Sequence, residues 1–153
     1  MDKEFKELFF SVTGHIPYPF QTRLATERYL PDIIDVETGL GKTAAVIVGW
    51  LYRRRFAAEY VRNETPRRLV MCLPTRVLVE QTFDTAHNIL TKLGLNGNDN
   101  VLLKILWGGD VDNDIDRFPE RDMIIIGTQD LLLSRALNRG YAMSKFRWPA
   151  HYA

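Results

Sequence analysis

Two glycines, a lysine and a threonine, in Thr38-Gly39-Leu40-Gly41-Lys42-Thr43, have the types and spacing to hold a phosphate chain. Glycine lets a loop turn its N–H groups inward around an anion, and a helix beginning at the loop aims its positive end at the same charge. Lys42 has the reach to neutralise terminal phosphates, and the Thr43 hydroxyl suits the shell of a magnesium ion. Lys42 and Thr43 are therefore the candidate catalytic pair. Thr38, Gly39, Leu40 and Gly41 complete the cradle, and Thr43 is the one candidate metal contact, through a bound nucleotide. The competing reading is a glycine turn into a helix whose Lys-Thr pair is accidental.

Such a loop works only between a strand and a helix. Residues 32–36 (Asp-Ile-Ile-Asp-Val) have the apolar character of a short strand, and residues 43–58 read as the helix. Further elements follow from the same periodicities. Phe5, Leu8, Phe9 and Val12 predict a first helix, stopped at Gly14. Pro17 and Pro19 exclude regular helix before a second one over 20–29. Residues 63–67 read as a polar connector. Strands are expected at 68–73, 101–107 and 123–126, with helices over 77–93 and 130–138. Strands alternating with helices predict an α/β fold, a parallel sheet with helices on both faces.

Composition narrows the class. A chain of 153 residues with 46% hydrophobic and 25% charged residues suits one soluble domain with a real core. The formal net charge of +1 provides no global basic field, so nucleic-acid binding would have to be local. The single Cys72, inside an apolar run, is expected to be buried and excludes a disulfide framework or cysteine-rich zinc site. The start lacks a signal-peptide pattern and no run is long enough to span a bilayer, so a cytoplasmic location with no membrane contact is expected.

Other segments carry chemistry. Gln21 follows Pro17-Tyr18-Pro19-Phe20, and its amide offers a donor and an acceptor together, matching the N7 and N6 edge of adenine. Tyr18 or Phe20 could stack on a base; the alternative is that Gln21 merely opens a surface helix. Thr75 and Arg76, after the second strand, suit one backbone phosphate of a nucleic acid, while Thr75 equally suits an N-cap. Gly108 and Gly109 close the third strand, as a close approach to a ligand or as a tight turn. Thr128 ends the fourth strand, with Asp130 as the next helix's cap. Asp110, Asp112, Asp114 and Asp116 alternate like a calcium loop, but Ile115 and Arg121 stand where glycine and glutamate are required, which leaves an acidic surface loop. Arg53, Arg54 and Arg55 read as a solvated face near a helix end. His15, His87 and His151 lack metal-ligand spacing.

Val36 stands where the general phosphate-loop pattern has its first glycine, and that departure is informative. Residues 36–43 resemble the Ala-x-Thr-Gly-x-Gly-Lys-Thr loop of superfamily 2 helicases. Leu73-Pro74-Thr75-Arg76-Val77-Leu78-Val79-Glu80-Gln81 is similar to their Pro-Thr-Arg-x-Leu-x-x-Gln segment, and Gly127-Thr128-Gln129-Asp130 to their Gly-Thr-x-Asp segment. More narrowly, residues 127–141 and the Gly39-Leu40-Gly41 form of the loop resemble the CRISPR-associated helicase of type I systems; Glu37 departs from the proline often found there. The resemblance implies a RecA-like first motor domain, incomplete on its C-terminal side: a helical lead-in with the adenine segment at 1–31, a core at 32–140 and a tail at 141–153. It implies ATP and Mg2+ as cofactors, with Gln21 and residues 38–43 holding the nucleotide. It also implies single-stranded nucleic acid, DNA in preference to RNA, touching Thr75, Arg76, Gly108, Gly109 and Thr128, and a CRISPR surveillance complex as a partner.

The family's Asp-Glu pair, which holds magnesium and orients water, does not occur after the phosphate loop. A second motor domain and a nuclease domain are likewise not in the sequence. The expectation is a motor fragment that binds ATP without turning it over, with an exposed sheet edge prone to pairing. The alternatives are a fragment of another superfamily 2 DNA or RNA helicase, and a non-catalytic nucleotide-binding module.

Overall fold

The computed structural model describes residues 2–96, 100–106 and 120–136, the last three of these in backbone only. The elements in chain order are helices α1 (Asp2–Thr13), α2 (Pro19–Thr26) and α3 (Lys42–Leu51), a π-helical turn (Tyr52–Phe56), helix α4 (Glu59–Glu64), strand β1 (Arg68–Leu73), helix α5 (Arg76–Lys92), strands β2 (Leu102–Leu106) and β3 (Met123–Thr128), and helix α6 (Gln129–Ala136). They form two compact units. The first holds residues up to Pro66 together with Asn88–Gly94, and the second holds Arg67–His87 and the chain from Leu95 on.

The first unit is helical. Its core gathers Phe5, Phe9 and Val12 of α1 with Ala25, Ile47, Val48, Leu51, Tyr52 and Leu90, all buried. Phe5 stands edge-on to Tyr52 with ring centroids 5.4 Å apart, a favoured arrangement of aromatic quadrupoles. The Tyr52 hydroxyl donates to Glu4 Oε2 at 3.2 Å. Burial first, and then this carboxylate, push the phenol's pKa up to about 12, so the ring stays neutral at any ordinary pH. Lys92 ties the end of α5 to this unit by donating to the Val12 carbonyl at 2.6 Å.

Helices α2 and α3 pack closely because Gly49 carries no side chain toward α2. A Cβ built on Gly49 would sit 3.8 Å from Leu24 Cδ2 and 3.9 Å from Ala25 Cα, which is ordinary van der Waals contact. Gly49→Ala should therefore gain helix propensity without a clash. We expect it to stabilise the first unit by about 0.5–1 kcal/mol in urea unfolding, and a loss of stability would contradict this packing.

The second unit is a three-stranded sheet in the order β1-β3-β2, parallel throughout, flanked by helices. Parallel pairing requires crossovers, and α5 supplies the one between β1 and β2. Strand β3 is the covered centre: Met123, Ile124, Ile125 and Ile126 are all buried. Met123 and Ile125 meet Leu106 of β2 and Leu131 of α6 in one cluster, with Leu102 and Leu132 packed on it. Continuous apolar character is what a strand buried on both faces requires.

Several expectations need correction. Residues 32–36 form no strand, and Ile33 is 82% exposed. No described strand pairs with them, and an extended segment becomes a strand only by pairing. Strand β1 is an edge whose Val70 and Cys72 face outward, so Cys72 is exposed rather than buried. The helix expected over 43–58 changes to π-helical winding at Tyr52, where the Ala57 N–H donates to the Tyr52 carbonyl at 2.8 Å. Arg53, one turn after Gly49 and on the same helix face, is buried, so the three arginines are not one solvated face. A short helix that was not expected, α4, is anchored by the buried Val61 and takes in the first two residues of the connector read at 63–67. Among the described residues, no helix is long and apolar enough to cross a membrane.

Candidate nucleotide site and nucleic-acid interface

The phosphate loop owes its shape to two left-handed glycines, Gly39 at φ 91° and Gly41 at φ 71°. Side chains are disfavoured in that region, so the sequence can turn there only with glycine. Gly41 is also the N-cap of α3. The first intrahelical bond runs from Ala45 N–H to the Gly41 carbonyl at 2.9 Å. The amides of Lys42, Thr43 and Ala44 lie ahead of it and have no intrahelical acceptor, which makes this end of the helix an anion seat.

Lys42 folds back over the loop. Its exposed ammonium donates to the carbonyls of Val36 at 2.7 Å and Glu37 at 3.1 Å. The charge is thus held at the loop's mouth beside the free helix end, where a phosphate oxygen can replace a carbonyl. Thr38 and Gly39 are exposed, Leu40 and Thr43 half-buried. This combination of left-handed glycines, unbonded amides and one poised cation fits a triphosphate. When bound, that group would supply the phosphoanhydride to be cleaved, and Thr43 would supply a hydroxyl to its magnesium ion.

Gln21 is 2% exposed, and its amide is fully engaged. Nε2 donates to the carbonyls of Leu40 at 3.1 Å and Gly41 at 3.2 Å, using both its hydrogens. Oε1 accepts from the Tyr18 N–H at 2.9 Å, the glutamine half of a capping box at the start of α2. So Gln21 touches the phosphate loop directly, and neither of its N–H groups is free for a base in this conformation. Spacing alone hid this arrangement, because the loop carbonyls lie some twenty residues away in the chain. Tyr18 and Phe20 stack on each other with centroids 6.3 Å apart, leaving Tyr18 half exposed. A cleft of about 440 Å³ beside α2 is walled by Phe20, Leu24, Ile34 and Val36 and rimmed by Arg23 and Asp35.

In the second unit, Thr75, Arg76 and Thr128 gather at one edge of the sheet. Leu73 and Thr128 are register partners at the carboxyl ends of β1 and β3, and Thr75 follows β1 by two residues. Open parallel sheets bind ligands at this edge. Thr75 Oγ1 accepts from the Leu78 N–H at 3.4 Å, so the capping role is present, and its hydroxyl hydrogen remains available. Arg76 is exposed at the head of α5. Asp130 lies in the first turn of α6, as a cap-region acid should. Gly108, Gly109 and the acidic stretch at 110–116 lie outside the described residues. No group of three or more metal-ligating side chains occurs among the described residues.

A family model described as DEAD/DEAH box helicase matches residues 20–148. The chain belongs to this family. The match starts one residue before Gln21 and covers the phosphate loop and the sheet edge with Thr75 and Thr128, while α1 lies ahead of it. Membership carries an ATP-dependent, helicase-type function and association with nucleic acid, and domains of this family bind ATP, typically with Mg2+. No curated protein matches the chain. Sequence reasoning missed Arg53 in this DEAD/DEAH box helicase domain. Its signals were its place in an arginine triplet at the end of a helix and its spacing of four residues from Gly49, which puts the two on one helix face.

Proposed function

We propose that this chain is the ATP-binding portion of a DNA helicase or translocase motor of the kind that type I CRISPR-associated helicases carry. The observation that carries the nucleotide part is the loop itself, with Gly39 and Gly41 left-handed and Lys42 poised at the head of α3. Residues 38–43 would hold the phosphates, with Thr43 on the magnesium ion and Gln21 fixing the loop from behind. Single-stranded nucleic acid, DNA in preference to RNA, would lie along the edge bearing Thr75, Arg76 and Thr128, and the resemblance adds Gly108 and Gly109 to its contacts. The narrower CRISPR reading rests on the resemblance of residues 127–141 and of the Gly39-Leu40-Gly41 form. With it come a surveillance complex as partner and a cytoplasmic setting. In this reading residues 1–31 are a lead-in, 32–140 the motor core and 141–153 a tail.

The 153-residue chain has no Asp-Glu pair after its loop to orient an attacking water. It should therefore bind a fluorescent ATP analogue in the presence of Mg2+ and release no phosphate, with or without single-stranded DNA. Titration followed by a phosphate-release assay tests both halves. Absence of nucleotide binding would overturn the proposal, and DNA-stimulated hydrolysis would overturn the inactivity.

A further inference from the structure

We infer that Arg53 is a positioning residue for the phosphate loop, acting through α2; its nucleotide readout rests on the ATP-binding reading above. Arg53 is 8% exposed and makes no ion pair among the described residues. Its guanidinium donates to two carbonyls just past the end of α2, those of Glu27 through Nη1 at 2.6 Å and Arg28 through Nη2 at 3.3 Å. Nε is buried with no hydrogen-bond partner. A cation at this point meets the negative end of the α2 dipole and satisfies carbonyls that the helix itself cannot. An apolar side chain of similar length would fill the space without stranding a buried N–H, so simple filling does not account for an arginine here.

What the arginine adds is a fixed relation between two helices. Gln21 near the start of α2 holds the Leu40 and Gly41 carbonyls at the start of α3. Leu24 and Ala25 lie along Gly49 in the middle. Arg53, just beyond α3, holds the end of α2. The two helices therefore run in the same direction and are clasped at both ends, with the phosphate loop at one end and the guanidinium at the other. Helix α2 has only eight residues, too few to persist without such support. Arg53 follows Gly49 by four residues, one helical turn, which puts it on the face that meets α2. With the clasp opened, the last turn of α2 frays, and the reach of Gln21 to the loop is no longer set.

The test compares Arg53→Met and Arg53→Lys with the wild-type chain and with Val12→Ala, a core truncation near the end of α1 that lines no cleft with Arg53, Glu27 or Arg28. A fluorescent ATP analogue reports affinity, and hydrogen exchange reports the Tyr18 amide, which Gln21 Oε1 covers at the far end of α2. Arg53→Met is expected to weaken nucleotide binding about tenfold and to speed exchange at Tyr18 by a similar factor, with Arg53→Lys in between. Val12→Ala is expected to lower the melting temperature and leave both readouts unchanged. If Arg53→Met melts lower yet matches wild type in affinity and in Tyr18 exchange, Arg53 is structural only and the inference falls. If Arg53→Met does not fold, Arg53→Lys decides on the same two readouts. A wild-type chain that binds no nucleotide removes the ATP-binding reading, and the exchange measurement still decides whether Arg53 sets the loop.

Discussion

Lys42→Ala should weaken binding of an ATP analogue by roughly 10- to 150-fold while leaving the fold intact. The range follows from a charge-assisted hydrogen bond contributing about 1.5–3 kcal/mol. Two features of the loop set where in the range the result falls. The ammonium already has acceptors, the Val36 and Glu37 carbonyls at 2.7 and 3.1 Å, so a phosphate replaces existing bonds and the net gain is smaller than the gross one. Against this, Asp35 and Glu37 flank the loop, and Lys42 is the one cation among residues 35–43. Its loss leaves two carboxylates facing a polyanion. The second effect is long-ranged and adds to the first, so the upper part of the range is expected at low salt, with the difference shrinking as salt rises. The fold is spared because the side chain is exposed and the two carbonyls it leaves can bond water. Isothermal titration and a melting curve on the same sample check both halves. Unchanged affinity would remove Lys42 from the site.

How much of this was legible beforehand depends on what kind of information each feature needs. Strand β3 and helix α5 were readable because their apolar patterns are local and continuous, and tertiary packing agreed with them. The left-handed turns were readable because only glycine enters that region at no cost. Residues 32–36 carried the same kind of apolar signal and form no strand. Ile33 and Ile34 declare a capacity for burial, but the partner that would make them a strand is not a property of those residues. Cys72 fails for a related reason: an apolar run does not say whether its strand lies at the centre of a sheet or at its edge.

At the site, residue type was more legible than residue partner. Gln21 was singled out for an amide that presents donor and acceptor together. The structure matches those groups to backbone, Tyr18 N–H on one side and the Leu40 and Gly41 carbonyls on the other. Nothing in the spacing distinguishes a carbonyl from an adenine edge. Arg53 was passed over because three successive arginines at 100° per residue look like a polar fan. Its spacing of four residues from Gly49 puts it on one helix face with that glycine, but nothing in the spacing says that α2 covers this face.

The largest stability effect is expected at Gly127, where two familiar arguments give opposite signs. Propensity says that glycine weakens a strand and that a β-branched residue would strengthen β3. Packing says otherwise. A Cβ on Gly127 would lie 3.0 Å from both Leu106 Cβ and the Leu106 carbonyl oxygen, and 3.2 Å from Leu132 Cγ. Leu106 is its register partner on β2 and is buried, and Leu132 packs on the cluster beneath the sheet. The side-chain contact with Leu132 can relax by a few tenths of an ångström. The carbonyl cannot so easily, because it is backbone of β2, which the pairing with β3 holds in register. Gly127→Ala is therefore expected to destabilise by about 1–3 kcal/mol, and Gly127→Val by more, in proportion to the added volume. For a chain of this size that is roughly 2–4 °C of melting temperature per kcal/mol, and faster amide exchange along β3 should accompany it. Gly49→Ala is the matched control. It is the same added methyl group in a setting 3.8 Å from its neighbours, with the opposite sign expected. A stabilised Gly127→Val would show that propensity outweighs the clash. A destabilised one would mean that the glycine preceding Thr128 is fixed by the approach of β2 and α6 rather than by any ligand at the sheet edge.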